Sequence, residues 1–596
     1  MRSQVRITTA AVLVLLGLSS CNGVMDLTPK DQFADDAVFA DPNLAQAFVN
    51  DMYRGLGHGL YEIMLASMTD ETHFIHNYNT EPVVKSIITS SDRGAIDDGR
   101  FAHFNWAPTY SRIRQTNIFL GKIDGTTFDA ALKQRMKGEV FFLRAYFYHN
   151  LMRMYGGVPI ITKVYGLNED YRVARNSFQE TVAFIVANAD SAAALLPLSY
   201  SGIDLGRVTK GAALALKARV LLYAASDLYN VNPSGQPENG YTTPQDRTAL
   251  WRAVKDAAKA VMDLGIYGLF RPTPANAQEA AKNYGDLFLQ PMSQEVILSR
   301  FFLSTRDDGA YPNRDNGPNG YHTWGGNTPI ENLVDDYRMA DGSKFDWNNA
   351  AEATAPYANR DPRFYASIAH DGAPWRPRPD DVKGLDSVGI IQTFRQLAIR
   401  NDSGRVTDVV PGLDTRDSPV ENWNGAYSGY YLRKFIDPSI NAQYTREQVP
   451  WIFFRYGEIL LNYAEASIEL NELTDAVNVL NQIRVRGGMP PFSAALGQAA
   501  LRDEYRNERR VEMAFEEQRF FDVRRWMTAP QVLIKVAGGI NIFLDGTSRT
   551  DRTTWHNYRY AVDTVQTRAW NDKMYFMPIR FDELNRNSLL KQNPGY

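Results

Sequence analysis

Apolar residues recur three and four positions apart through long stretches of this chain, and each such stretch predicts a helix. Leu44, Phe48, Val49 and Met52 share one face over 41–55, opened by Asp41-Pro42. The longest stripe is Met136, Val140, Leu143, Phe147, Leu151 and Met154, which predicts a helix over 133–155 that Gly156-Gly157 and Pro159 end. Residues 210–229 are alanine-rich and apolar on nearly every side, so this helix is expected between neighbours. Further helices are predicted over 249–264, 456–470, 474–486 and 499–526, and Trp106 and Tyr110 begin another. The alternating stretch Tyr430 to Phe435 is strand-like but too short to build a sheet from.

Two of these helices form a hairpin pattern. Ile459, Leu460, Tyr463, Ala464 and Ser467 line one helix, Asn471-Glu472-Leu473 turns the chain, and Thr474 caps a second carrying Ala476, Val477, Val479, Leu480 and Ile483. Alanines at close positions let helix pairs stack as in tetratricopeptide arrays, although no clean self-repeat of about 34 residues is present. The fold class expected is mainly α, with a tetratricopeptide-like scaffold over about 26–270 and 450–530. Over 271–449 helical periodicity lapses and Gly, Pro, Asn, Asp and Trp become dense, as in Tyr311-Pro312-Asn313 and Tyr321-His322-Thr323-Trp324-Gly325-Gly326. Long loops of this kind on a rigid scaffold are where binding resides. A tail over 531–596 closes the chain.

Composition narrows the class. The formal charge is −4, and −6 once Arg2 and Arg6 leave with the leader, so the basic footprint of a nucleic-acid binder is missing. The 31 Tyr, 30 Phe and 10 Trp are an aromatic excess, partly set in loops where no core is expected. Cys21 is the only cysteine, so no disulfide can form within the chain. It follows Leu18-Ser19-Ser20 and a short apolar run with arginines in front, the pattern of a lipoprotein leader over 1–20. Acylation of Cys21 would give the two or more chains that stable anchoring needs, and membrane attachment is expected through that lipid alone.

Motifs along the whole chain carry a resemblance. In order they are the lipoprotein cleavage site, Leu27-Thr28-Pro29, Arg144-Ala145-Tyr146-Phe147-Tyr148, Met154 to Pro159, Lys210-Gly211-Ala212-Ala213, Arg360-Asp361-Pro362-Arg363, Arg455 to Ala466, Glu508-Arg509-Arg510, Arg519-Phe520-Phe521-Asp522 and Gln592 to Tyr596. This series resembles the SusD/RagB family of outer-membrane nutrient-binding lipoproteins. The resemblance implies a helical scaffold, an irregular ligand face, a cell-surface location on the outer membrane, and a SusC-like TonB-dependent barrel as partner. Most of the motif residues read as structural: Arg144, Glu508, Arg509, Arg519 and Asp522 offer charged pairs between helices, and Gln592-Asn593 can tie down the tail.

No nucleophile elbow, zinc-protease helix or phosphate loop is present, and no catalytic residue is assigned. His73 and His76 read as a loop pair without a metal. The cluster Asp307, Asp308, Asn313, Asp315 and Asn316 resembles an oxygen-rich calcium loop but lacks its spacing and closing glutamate, so calcium is the one cofactor left open. Glycan capture is the function expected, because sugar rings present flat apolar faces edged by hydroxyls and need aromatic platforms flanked by polar side chains. The candidate ligand residues are Asn77, Tyr78 and Arg100 in one loop and Tyr311, Asn313, Tyr321 and Trp324 in another, with Trp347, Trp375, Trp423 and Trp555 secondary. A surface scaffold without a ligand, a peptide ligand, and an enzyme are the alternatives, in that order after glycan capture.

Overall fold

The computed structural model of the protein describes residues 35–76, 78–166, 168–303, 310–441 and 445–596. The leader, Cys21, Leu27-Thr28-Pro29, Asn77, Asp307 and Asp308 lie outside the described residues.

Helices of ten or more residues among the described ones are α1 Pro42–Tyr53, α2 Trp106–Lys122, α3 Ala130–Tyr155, α4 Phe178–Leu195, α5 Lys210–Ala225, α6 Arg247–Met262, α7 Ala277–Leu287, α8 Tyr456–Glu469, α9 Leu473–Arg486 and α10 Gln498–Glu512. Their starts are chemically marked. Asp41, Asp129, Thr209 and Asp246 each accept a backbone N–H in the first turn, and Ser177 with Glu180 forms a reciprocal capping box ahead of α4. Each helix of the row α2, α3, α4, α5, α6, α8 and α9 packs on the next, which is the expected stacking of helical pairs. The alanine-rich face of α5 is buried on nearly all sides, with Ala212, Ala213, Ala215, Leu216 and Ala218 inaccessible to solvent.

Two predicted helices are interrupted. The helix read over 210–229 stops at Ser226, whose extended backbone separates α5 from a five-residue helix, Asp227–Val231. The helix read over 499–526 breaks after Glu512 and resumes at Arg519–Arg525. Phe515 and Glu517 there take φ of +65° and +60°, the left-handed region that side chains avoid. That turn aims Glu512 and Glu516 inward at Arg455, which bonds to both.

Strands of three or more described residues are β1 Thr72–Phe74, β2 Val296–Arg300, β3 Asn327–Pro329, β4 Gln396–Arg400, β5 Val406–Val410, β6 Trp451–Arg455, β7 Ala537–Gly546 and β8 His556–Gln566. A four-stranded sheet in the order β8-β7-β4-β5 joins the loop-rich stretch to the tail, with β7 and β4 parallel and the outer pairs antiparallel. The sequence pattern did not reveal this sheet. Residues Tyr431–Leu432, the strand-like stretch, pair only with Ile368–Ala369.

The motif charges are inside. Glu512, Glu508, Glu516, Glu295 and Asp361 interlock with Arg363, Arg455, Arg484, Arg486 and Lys434, all buried. Five carboxylates face five cations, so the network carries no net charge. Gly457 leaves room for it: a Cβ there would lie 2.4 Å from Arg455 Nη1 and 2.9 Å from Glu295 Oε1. A second group joins Arg509 to Asp522 at 2.7 Å, Asp522 and Glu465 to Arg525, and Arg519 to Asp70. Arg144 departs from the expectation of a charged pair. Its guanidinium donates to Asn188 Oδ1 and Asn117 Oδ1 and lies between the rings of Phe141 and Phe184, and burial lowers it to about 10.

The tail is tied down as its amides suggested. Asn593 Oδ1 accepts from Arg175 and Asn239, and its Nδ2 donates to the carbonyls of Tyr155 and Met577. Gln592 spans Ile579 and Ser90. Asn593→Ala leaves two buried donors and two buried carbonyls without these partners. It is expected to lower the unfolding free energy by about 2–3 kcal/mol, read as a shift of the urea midpoint with unchanged far-ultraviolet dichroism in the native state.

Candidate functional site

The antiparallel pairing of β1 with β3 brings together the two loops named from sequence, since it sets His73 opposite Thr328 and Phe74 opposite Asn327. Tyr78 follows β1 and Trp324 precedes β3. Asn327 holds the junction: its side-chain oxygen accepts from the Met64 N–H and the Ser67 hydroxyl, and its Nδ2 donates to the Glu62 carbonyl and Asn316 Oδ1. The Ile75 N–H donates to the Gly326 carbonyl, and His76 Nε2 lies 2.9 Å from the Trp324 carbonyl. The loops are therefore anchored by buried polar groups, while their rings reach the surface.

Around Tyr78 and Trp324 the exposed and partly exposed side chains include rings and guanidiniums. Tyr78 is 44% exposed and packs on Phe74 at 5.3 Å. Arg100 lies over its ring at 5.6 Å and is held by Glu62 and Asp98, each at 3.0 Å. Burial and the Glu62 carboxylate both push the Tyr78 phenol up, so it stays a protonated donor. Arg314 sits 3.8 Å from the Tyr311 ring and 4.3 Å from that of Trp324, and its carbonyl accepts the Trp324 N–H. Beneath it Asp315 is buried. Desolvation raises its carboxyl to about 7 although Arg314 is 2.7 Å away.

A second aromatic group adjoins the first. Trp423 is 62% and Tyr427 50% exposed. Arg416 lies 4.2 Å over the Tyr427 ring and donates to the Trp423 carbonyl, and His73 meets Tyr427 edge-on at 5.6 Å. The loops touch at Gly325, where φ is +58° and a Cβ would lie 2.4 Å from the Asn424 carbonyl oxygen. Only glycine fits there.

The structure thus brings Tyr78, Arg100, Tyr311 and Trp324 together. It removes two other candidates from the surface. Asn313 is buried, with its N–H on Glu447 Oε1 and its Nδ2 directed to the carbonyls of Asp437 and Ile440. Tyr321 is 1% exposed, its hydroxyl donates to the Arg376 carbonyl, and its ring lies 4.2 Å from the Arg378 guanidinium. Both sit on short helical turns, Pro312–Asn316 and Asn319–Tyr321, that direct these side chains into the body. Of the secondary candidates, Trp423 belongs to the face and Trp375 is buried, while Trp347 donates to Asp335 and Trp555 to the Ser548 carbonyl. Tyr427, Arg416 and Arg314 were not singled out from sequence. The signal for Tyr427 was the run Trp423-Asn424-Gly425-Ala426-Tyr427, a ring-bearing loop like the two that were named.

Among the described residues no group of three or more His, Cys, Asp or Glu is disposed to hold a metal ion. Of the calcium-like cluster, Asp315 is taken by Arg314 and Asn316 Oδ1 by Asn327. No helix among the described residues is long and apolar enough to cross a membrane.

Residues 294–596 match a family model described as the SusD family, and residues 29–222 match one described as starch-binding associating with outer membrane. The chain is similar to a crystal structure of a SusD-like protein from Bacteroides fragilis, with 29% identity, a TM-score of 0.72 and coverage of 96% of this chain and 100% of that one. It is similar to SusD-like protein P38 of Formosa agariphila, with 22% identity over 561 residues, 89% of this chain and 93% of the relative. A structure named as a laminarin binding SusD-like protein shares the fold at 19% identity and a TM-score of 0.57, over 93% of this chain and 99% of that one.

Proposed function

The chain belongs to the SusD family, and on that premise we propose that it is a non-catalytic, outer-membrane receptor that holds a glycan on the Tyr78–Trp324 face and passes it to a SusC-like TonB-dependent barrel. The observation that carries the reading is the adjacency of two ring groups, each with a guanidinium over a ring and polar atoms at its edge. Rings of this kind pack on the carbon-bound hydrogens of a sugar, and the guanidiniums and carboxylates complete its hydroxyl hydrogen bonds. The laminarin-binding relative supports a glycan over a peptide. A peptide groove would favour extended main-chain contacts, and here the face is built of ring and guanidinium side chains.

Anchoring through an acylated Cys21 keeps the body at the membrane, and a tethered receptor with no spanning helix among its described residues needs a separate channel for uptake. The body lacking the first 21 residues is expected to be retarded by at least one polysaccharide in affinity electrophoresis. The native protein is expected to co-elute with a barrel in mild detergent. Retention of a peptide pool with no polysaccharide binding would overturn the glycan assignment, and a solitary native protein would overturn the partnership.

A further inference from the structure

We propose that His322 is a positioning residue that clamps the two ring-bearing loops of the ligand face together through a pair of carboxylates, making glycan retention pH-dependent; the ligand half of this inference rests on the proposed function. His322 lies between the buried anchor Tyr321 and the partly exposed Trp324, at φ +59°, with its backbone N–H on the Asn319 carbonyl. Its Nδ1 is 2.9 Å from Glu421 Oε1, and its Nε2 is 3.0 Å from Asp381 Oδ2. Glu421 itself has φ of +41° and precedes the turn Asn422–Asn424 that carries Trp423, and its second oxygen accepts from Asn424 Nδ2 at 3.0 Å. The ring therefore joins the Trp324 loop to the start of the Trp423–Tyr427 loop and to the loop of Asp381.

A neutral imidazole has one N–H and one lone pair, so it satisfies one carboxylate and turns its lone pair on the other. Only the imidazolium donates to both. The other charged groups nearby are already engaged: Arg378 by Asp386 and Asp414, Lys383 by Asp380, and Arg416 by the Tyr427 ring and the Trp423 carbonyl. Burial opposes the charge on His322, but hydrogen bonds and attraction from Glu421 and Asp381 outweigh it and raise the group above its usual range. A group raised in the folded state contributes fully below the ordinary histidine range of about 6.5 and loses that contribution as pH rises through the folded value. The clamp is closed in mild acid and opens on the alkaline side.

Hydrogen exchange of the ligand-free protein, corrected for intrinsic rates, tests the clamp without any ligand. Between about pH 6 and about pH 8.5, amides of 419–427 are expected to lose protection roughly threefold to tenfold in the parent protein. In His322→Gln they are expected to exchange at the faster level at both pH values. In Asp381→Asn, a change at a solvent-exposed carboxylate, the loss is expected to begin at lower pH. Equal protection at both pH values in the parent, or full protection in His322→Gln, would overturn the clamp. Polysaccharide retention measured on the same samples should follow the exchange in the parent and lose its pH dependence in His322→Gln. A protein that shows the exchange change but retains no polysaccharide at any pH would leave the clamp standing and sink the glycan reading instead.

Discussion

Glu512→Gln is expected to lower the unfolding free energy by about 3–5 kcal/mol, the range for breaking a buried ion network by removing one partner. Glu512 is inaccessible to solvent and bonds to Arg363 at 3.0 Å, to Arg455 at 2.7 Å and to Arg486. Burial alone would raise its carboxyl. The attraction of Arg486, Arg455 and Arg363 prevails and holds it far below the usual range. Glutamine keeps the shape but removes the charge, leaving an otherwise neutral set of ten groups with one surplus cation where water does not reach. The sign of the pH dependence follows: a depressed carboxylate contributes fully above its ordinary value of about 4.3, and that contribution is lost as the solution is acidified. Urea midpoints of the parent and Glu512→Gln should differ most near neutrality and converge in acid. Glu169→Gln, at an exposed pair with Lys163, should leave the midpoint where it was. A loss below about 1 kcal/mol for Glu512→Gln would mean that the network is dispensable.

Tyr78→Ala combined with Trp324→Ala is expected to weaken polysaccharide binding by about 100-fold, which corresponds to roughly 1.5 kcal/mol for each ring plane. Neither change opens the core. Tyr78 is nearly half exposed, Trp324 is held through its backbone by Arg314 and His76, and the junction below rests on Asn327. Thermal midpoints of the double variant should therefore stay near the parent's. Tyr321→Phe, which keeps a buried ring and removes a hydroxyl that serves Arg376, is expected to leave affinity unchanged. If the double variant still binds with parental affinity, the ligand lies on another face.

The two predictions differ in how much of them the sequence shows. Helices were legible wherever one face was apolar, as in α3, because the stripe repeats with the period of the backbone. The break between Glu512 and Arg519 was not, since it depends on Arg455 and Glu295, which are remote along the chain but adjacent in space. The four-stranded sheet was hidden for the same reason: β4 pairs with β7 across more than a hundred residues, and neither strand alternates cleanly. In the loops, composition named Tyr78, Arg100, Tyr311 and Trp324, which the fold sets near one another. It did not separate an outward ring from an inward one. Tyr321 and Trp324 are three residues apart in one loop, yet the first is buried against Arg376 and Arg378 while the second is partly exposed.

The placement of charge has one more consequence. Mobile ions screen solvent-reached pairs over a Debye length of about 8 Å at physiological ionic strength and hardly enter a packed interior. Arg100 with Glu62 and Asp98 and His322 with Asp381 are reached by solvent, whereas the set around Glu512 is sealed. Brine and dilute medium should thus leave the frame equally rigid while retuning the proposed ligand face, so that salinity acts on grip without touching architecture.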